Sequence, residues 1–64
     1  MSLFTNVSII ASGMPRELRT PVMNAVYTAS GSMAQFVNEL QSAKYEYPDL
    51  DVQLVLDKLA AINA

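Results

Sequence analysis

The chain has 64 residues, of which 52% are hydrophobic and 16% are charged, and its formal net charge is −2. It contains no Cys and no His, which excludes stabilisation by disulfides and removes the usual ligands of a structural zinc site. A chain of this length buries only about 60% of the surface that its unfolded form exposes. We therefore expect one small domain, residues 1–64, that gains stability by association.

The first segment, residues 1–15, carries no charge and is rich in apolar side chains. Its apolar residues follow helical spacing, and a serine at the start and Ser12-Gly13 at the end are typical helix boundaries. This pattern predicts a helix over residues 3–11. The β-branched residues of the same stretch also suit a strand, which would need a strand from a partner chain because the rest of the sequence has helical character.

Two prolines bracket the connector that follows, Met14 to Pro21. Because each proline disfavours helical geometry at the residue before it, this connector has room for one helical turn at most. Thr20 is a suitable N-cap, and Pro21 is favourable at the first position of a helix. The sequence thus predicts that the second helix begins at Pro21.

Within this connector, Glu17-Leu18-Arg19-Thr20-Pro21 resembles the H-box of sensor histidine kinases, in which a phosphorylated His precedes the same five residues. Arg16 stands at the position of that His here. The resemblance implies a dimerising helical hairpin without phosphotransfer, since the phosphoacceptor is missing. In that family the motif lies inside a long helix, whereas Gly13 and Pro15 interrupt any helix that arrives from upstream.

The longest apolar pattern lies in the middle of the chain. Its members recur at alternating steps of four and three, which aligns them on one face of a helix: Val22, Val26, Ala29, Met33, Phe36, Leu40 and Ala43. Ser30-Gly31-Ser32 argues for a break, because an internal glycine costs about 1 kcal/mol and Ser32 with Gln35 forms a capping box. The apolar phase is nevertheless kept across the glycine. We therefore predict one helix over residues 21–44, continuous or kinked at Gly31.

The end of the chain predicts a further helix over residues 49–62. Pro48 stops the preceding helix, and carboxylates at 49 and 51 are stabilised near a helix N-terminus. The apolar face of this helix comprises Val52, Val55, Leu56, Leu59 and Ile62, and Leu54 lies outside it. Tyr45 and Tyr47, which flank Glu46, form either a recognition surface or a hinge whose rings lie on the core.

Together these elements predict an all-α fold, a small helical hairpin or three-helix unit that is completed by association. A hairpin that turns near Tyr47-Pro48 brings Phe36 and Leu40 level with three apolar residues of the last helix: Val55, Leu56 and Leu59. In this arrangement residues 1–15 form an apolar docking segment, and residues 16–64 form the helical hairpin.

The parts of the common catalytic and ligand-binding sites are missing from the sequence. There is no His base, no Cys nucleophile and no motif that places a Lys beside a serine. Asp49 and Asp51 lack the glycine and glutamate of a calcium loop, and Gly31 has no phosphate-binding motif around it. The basic residues are scattered, and no apolar run approaches the roughly 20 residues of a membrane span. We expect no enzyme activity, metal, cofactor, nucleic-acid partner or membrane span.

The predicted function is therefore contact with other proteins. The chain is interpreted as a small structural or accessory subunit of a larger assembly, such as a virion or a multi-subunit complex, or as a homo-oligomer. Its location is cytoplasmic by default, or within that assembly. The alternative is a small regulatory or inhibitor protein that docks on one target, including a dimerising hairpin with the H-box-like segment.

The predicted partner contacts combine the uncharged N-terminal segment with small residues of the long helix. They are Leu3, Phe4, Val7, Ile9, Ile10, Met14, Ala25, Ala29 and Gly31. A two-helix hairpin is too small to cover so much apolar area, and its exposure to water would favour aggregation.

Overall fold

Four α-helices make up the computed structural model, which describes residues 2–63. They are α1 (Leu3–Ser12), α2 (Arg16–Ala29), α3 (Met33–Glu46) and α4 (Val52–Asn63). Since these helices and their connections contain no strand within residues 2–63, the predicted all-α fold is confirmed. Met1 and Ala64 lie outside the described residues, so the predictions for residues 1–15 and 1–64 are compared without them.

Helix α1 forms where the sequence predicted a helix, and it extends one residue further, to Ser12. The Ser2 hydroxyl accepts a hydrogen bond from the Thr5 N–H at 3.1 Å, which satisfies a donor that has no partner within the helix. At the other end, the Gly13 N–H donates to the Ile10 carbonyl at 3.2 Å. The N-terminal segment is therefore a helix and not a strand.

Helix α2 begins at Arg16, so the prediction that it begins at Pro21 is wrong. The Pro15 carbonyl accepts hydrogen bonds from the N–H groups of Leu18 and Arg19 at 3.0 and 3.2 Å, which closes the first turn. Pro21 lies inside the helix and leaves only the carbonyl four residues earlier without its helical donor. That carbonyl belongs to Glu17, which is exposed, so water can hydrate it. The H-box-like segment is consequently helical.

The predicted single helix over residues 21–44 is wrong as well, because the chain turns between α2 and α3. Ser30 has φ 51° and ψ 42°, and Gly31 has φ 87°, so two consecutive residues leave helical geometry. Ser32 then caps α3 by accepting from the Gln35 N–H at 3.2 Å. Val22, Val26 and Ala29 of α2 share one core with Phe36 and Leu40 of α3, so the apolar phase continues across the break, whereas Met33 at the start of α3 is 44% exposed.

Helix α4 begins at Val52 and not at the predicted residue 49. Asp51 is its cap: a carboxylate oxygen accepts from the Leu54 N–H at 3.0 Å, and its carbonyl accepts from the Val55 N–H at 3.2 Å. The preceding residue, Leu50, is fully buried although it belongs to the loop. Burial of Leu50 holds the α3–α4 connection against the core and delays the start of α4.

One hydrophobic cluster joins all four helices. As predicted, Phe36, Leu40, Val55 and Leu59 are buried in it, and Leu56 packs against it partly buried. Helix α1 adds three residues that the hairpin prediction had left outside the core: Val7, Ile10 and Ala11. Because α1 packs on α2 and α4, the apolar side of the N-terminal segment is covered by the chain itself.

The dimensions of the molecule agree with those of an independent small domain. Its accessible surface is 4031 Å², and a folded monomer of 7.0 kDa is expected to expose about 4,000 Å². Its radius of gyration is 10.4 Å, against about 10.7 Å for a compact chain of this length. The four helices therefore reach ordinary compactness without a covering partner.

Candidate protein-interaction surfaces

The residues predicted to contact a partner occupy three kinds of position. Four lie in the chain's own core: Val7, Ile10, Ala25 and Ala29. Leu3 and Met14 are half-buried and pack against that core. Phe4, Ile9 and Gly31 are exposed. These last three have the largest fractional exposure of the set.

The exposed members of this set do not form one surface. Phe4 and Ile9 are five positions apart on α1, and at about 100° per residue they are separated by about 140° around the helix axis. They flank the buried face of α1 on opposite sides. Gly31 lies in the turn between α2 and α3, where its positive φ has a local backbone role. The predicted contact surface is thus divided among three places.

Phe4 instead meets Tyr27, and together they form an aromatic pair on the surface. The two ring centroids are 5.2 Å apart, and the ring planes are inclined by 55°, which is a favourable tilted arrangement for two aromatic rings. Phe4 nevertheless remains 42% exposed and Tyr27 64% exposed. The pair is thus formed by residues of two different helices, and much of its area faces solvent.

Few charged residues lie in the half of the chain that forms the aromatic pair. Residues 2–32 contain three charged side chains, Arg16, Glu17 and Arg19, whereas five of the six acidic residues lie in the second half of the chain. The pair therefore belongs to the less acidic half of the molecule.

A cleft opens between α3 and α4, which pack against each other less extensively than α2 packs against α3. Its volume is about 660 Å³, and seven residues line it: Gln41, Lys44, Tyr45, Pro48, Val52, Gln53 and Leu56. None of these is acidic. The Lys44 ammonium is positioned by donating to the Leu50 carbonyl at 2.8 Å. The cleft thus combines an apolar floor with one fixed cation.

The two tyrosines near this cleft have different environments. Tyr47 is half-buried and packs against the core, as the hinge interpretation expects. Tyr45 is 91% exposed and lies on the rim of the cleft. The sequence pattern treated them as one feature, but Tyr45 lies in the last turn of α3 and Tyr47 is the non-helical residue that follows it.

The solvent face of α4 carries Leu54, which the sequence had placed outside the apolar face of this helix. Leu54 is 48% exposed, and the exposed residues Asp51 and Asp57 lie three positions before and after it. The carboxylate of Asp57 accepts a hydrogen bond from the Gln53 side chain at 2.9 Å. The exposed Lys58 lies four positions after Leu54, so charges of both signs surround this apolar side chain.

A smaller groove of about 270 Å³ between α2 and α3 is mainly polar. Glu39 and Glu46 line it, with Ser42 between them and Asn24 and Thr28 opposite. Across the described part of the chain, no group of three or more acidic side chains is arranged to hold a metal ion. In the same residues, no helix combines the length and apolar character that a membrane crossing requires.

Sequence reasoning missed both the aromatic pair and the cleft. The pair depends on α1 crossing α2, a long-range contact between two helices with no sequence signal of its own. The cleft depends on the small contact area between α3 and α4, although Val52 and Leu56 were assigned to the correct side of α4. The off-face position of Leu54 was the one available signal for an additional surface.

No protein-family model matches the chain, and comparison with curated proteins and with solved structures finds no match either.

Proposed function

We propose that this chain is a non-enzymatic protein–protein interaction module, a small accessory or structural subunit that adds to a larger assembly through its aromatic pair. The observation that carries the proposal is the exposure of Phe4 and Tyr27 side by side, with their ring centroids 5.2 Å apart. Rigid aromatic side chains supply large contact area at a small cost in conformational entropy, and tyrosine is enriched in the energetically important centres of interfaces.

The internal packing of α1 supports a specific division of roles within this segment. Val7 and Ile10 hold α1 on the core, while Phe4 is presented outward beside Tyr27. The partner's surface is expected to be apolar where it meets the two exposed rings.

The test compares the partner proteins that are retained by the wild type and by three single-residue variants. Phe4→Ser and Tyr27→Ser remove the aromatic area, and Ile9→Ser is the matched control because Ile9 is 51% exposed on the other side of α1. In extracts of the cells that make the protein, we expect the wild type and Ile9→Ser to retain the same partner proteins. Each aromatic variant should lose them while keeping the helical circular dichroism of the wild type.

Equal capture by all four proteins would refute the proposed surface. Partner loss in Ile9→Ser alone would instead move the contact to the opposite side of α1. Loss in every variant together with reduced helicity would attribute the effect to unfolding, and cross-linking from a photoreactive amino acid at position 27 of the folded chain then decides the question. We expect that position to form a covalent product with a partner protein.

A second candidate, a regulator that docks on one target protein, is favoured by the compactness of the isolated chain. An accessible surface close to that of an independent domain suits a protein that folds before it meets its target. The two candidates differ in what is captured: a subunit is retained with several proteins in fixed ratio, whereas a regulator is retained with one.

A further inference from the structure

We infer that α4 is a lid, a helix that opens away from the core while α1, α2 and α3 stay packed together. The lid comprises Val52–Asn63, and its hinge is the non-helical connection over residues 47–51. The inference is independent of the proposed function, because the aromatic pair lies on α1 and α2.

The packing of the helices distinguishes α4 from the other three. Helices α1 and α3 each pack extensively on α2, whereas α4 packs on α1 and α3 less extensively. The cleft between α3 and α4 is lined by Val52 and Leu56, and these two side chains are only half-buried. Fewer contacts between helices therefore have to be broken to detach α4 than to separate α1 or α3 from α2.

A small number of side chains attach α4 to the core. Val55 and Leu59 are its buried residues, whereas five residues of α2 are buried. In the hinge, Leu50 is also fully buried, and its carbonyl accepts a hydrogen bond from the Lys44 side chain of α3 at 2.8 Å. These contacts hold the hinge on α3, so the opening movement of α4 begins beyond Leu50.

A polar contact between Asn6 and Asn63, the latch, closes the far end of the lid. The Asn6 Nδ2 on α1 donates to the Asn63 Oδ1 at 3.1 Å. Asn6 is 3% exposed, and its Oδ1 has no partner among the described residues. Because a buried amide oxygen without a hydrogen bond is costly, and opening of α4 lets water reach it, the latch favours the closed form less than a fully paired contact would.

The opened form differs from the closed form in the surface that it presents. Removal of Val55 and Leu59 uncovers the part of the hydrophobic cluster on α1 and α3 against which α4 packs. A detached helix of 12 residues is too short to stay helical in water. Opening therefore also frees the backbone N–H groups of α4, and their exchange with solvent reports it.

The first experiment measures hydrogen exchange of the intact wild-type chain by NMR, in urea concentrations below the unfolding transition. We expect the amides of residues 56–60 in α4 to be protected at least about tenfold less than the most protected amides of residues 22–29 and 37–44. Their protection should also depend less on urea, because opening exposes less surface than global unfolding. Equal protection with equal urea dependence would overturn the inference. Protection that declines smoothly toward Asn63 would overturn it too, since that pattern indicates fraying of the helix end.

Two variants separate lid opening from global unfolding. Asn63→Ala removes the latch, which is broken in both processes, so it should speed exchange of the α4 amides about tenfold. Gly31→Ala strains the turn between α2 and α3, and this strain is relieved only when those two helices unfold. It should therefore speed exchange in α2 and α3 and leave α4 nearly unchanged, whereas equal acceleration in all three helices would overturn the inference. If Gly31→Ala is unfolded by circular dichroism, the wild-type measurement decides the question by itself.

Discussion

Phe36 is the largest fully buried side chain, with no measurable exposure. Replacement by Ala removes a ring from the centre of the core and leaves a cavity, so Phe36→Ala should lower the free energy of unfolding by about 3–5 kcal/mol. The total free energy of unfolding of a domain of this size is roughly 3–10 kcal/mol. Urea denaturation should therefore find the variant unfolded or close to it. The control Tyr45→Ala removes a ring of similar size from an exposed site and should cost about 0.5 kcal/mol at most.

A single polar contact joins α1 to the end of α4. Asn6 is buried, and its Nδ2 donates to the Asn63 Oδ1 at 3.1 Å, whereas its own Oδ1 has no partner among the described residues. Asn63→Ala would leave the Asn6 Nδ2 without a hydrogen-bond partner as well, and it should lower the free energy of unfolding by about 1–2 kcal/mol. In an Asn6→Leu background the same change should cost almost nothing, because no buried amide is left. Urea denaturation of this double-mutant cycle gives the coupling energy, and equal costs in both backgrounds would contradict the contact.

At the scale of the elements, the turn between α2 and α3 divides the middle of the chain into two helices. Ser30 adopts left-handed geometry that suits glycine better, and Gly31 has φ 87° with open space where a Cβ would stand. Gly31→Ala should therefore cost about 1–2 kcal/mol through backbone strain alone. Ser30→Gly removes strain and should change stability far less or raise it. Thermal denaturation of the two variants tests this, and an Ala variant as stable as the wild type would indicate a continuous helix.

Across the whole molecule, α1 shares the hydrophobic core with the other three helices, so we expect it to unfold together with them. Its residues Val7, Ile10 and Ala11 are part of the one hydrophobic cluster, and α1 packs on both α2 and α4. Removal of residues 2–15 should therefore abolish cooperative thermal unfolding, measured by circular dichroism, because the remaining helices would expose that side of the core to water. Ile9→Ser, which changes an exposed residue of the same helix, should melt near the wild-type temperature. A cooperative transition in the shortened chain would instead support a self-sufficient hairpin.

The sequence by itself determined the helical class, the ends of α1 and most of the core. Apolar periodicity reports which side of a helix is buried, and for Phe36, Leu40, Val55 and Leu59 this local signal was sufficient. Local rules also identified Ser32 and Gln35 as a capping box, although the apolar phase across Gly31 was given more weight. The apolar spacing could not distinguish the two alternatives, because two helices that share one core can show the same spacing as one long helix.

Only the tertiary structure decided how the helices meet and therefore which residues remain outside. The placement of α1 across α2 and α4 put Val7, Ile10 and Ala11 of the predicted docking segment into the core and brought Phe4 to Tyr27. The small contact area between α3 and α4 opened the cleft around Lys44. Such surfaces arise from contacts between residues far apart in the chain, and the spacing of apolar residues within one helix does not predict those contacts.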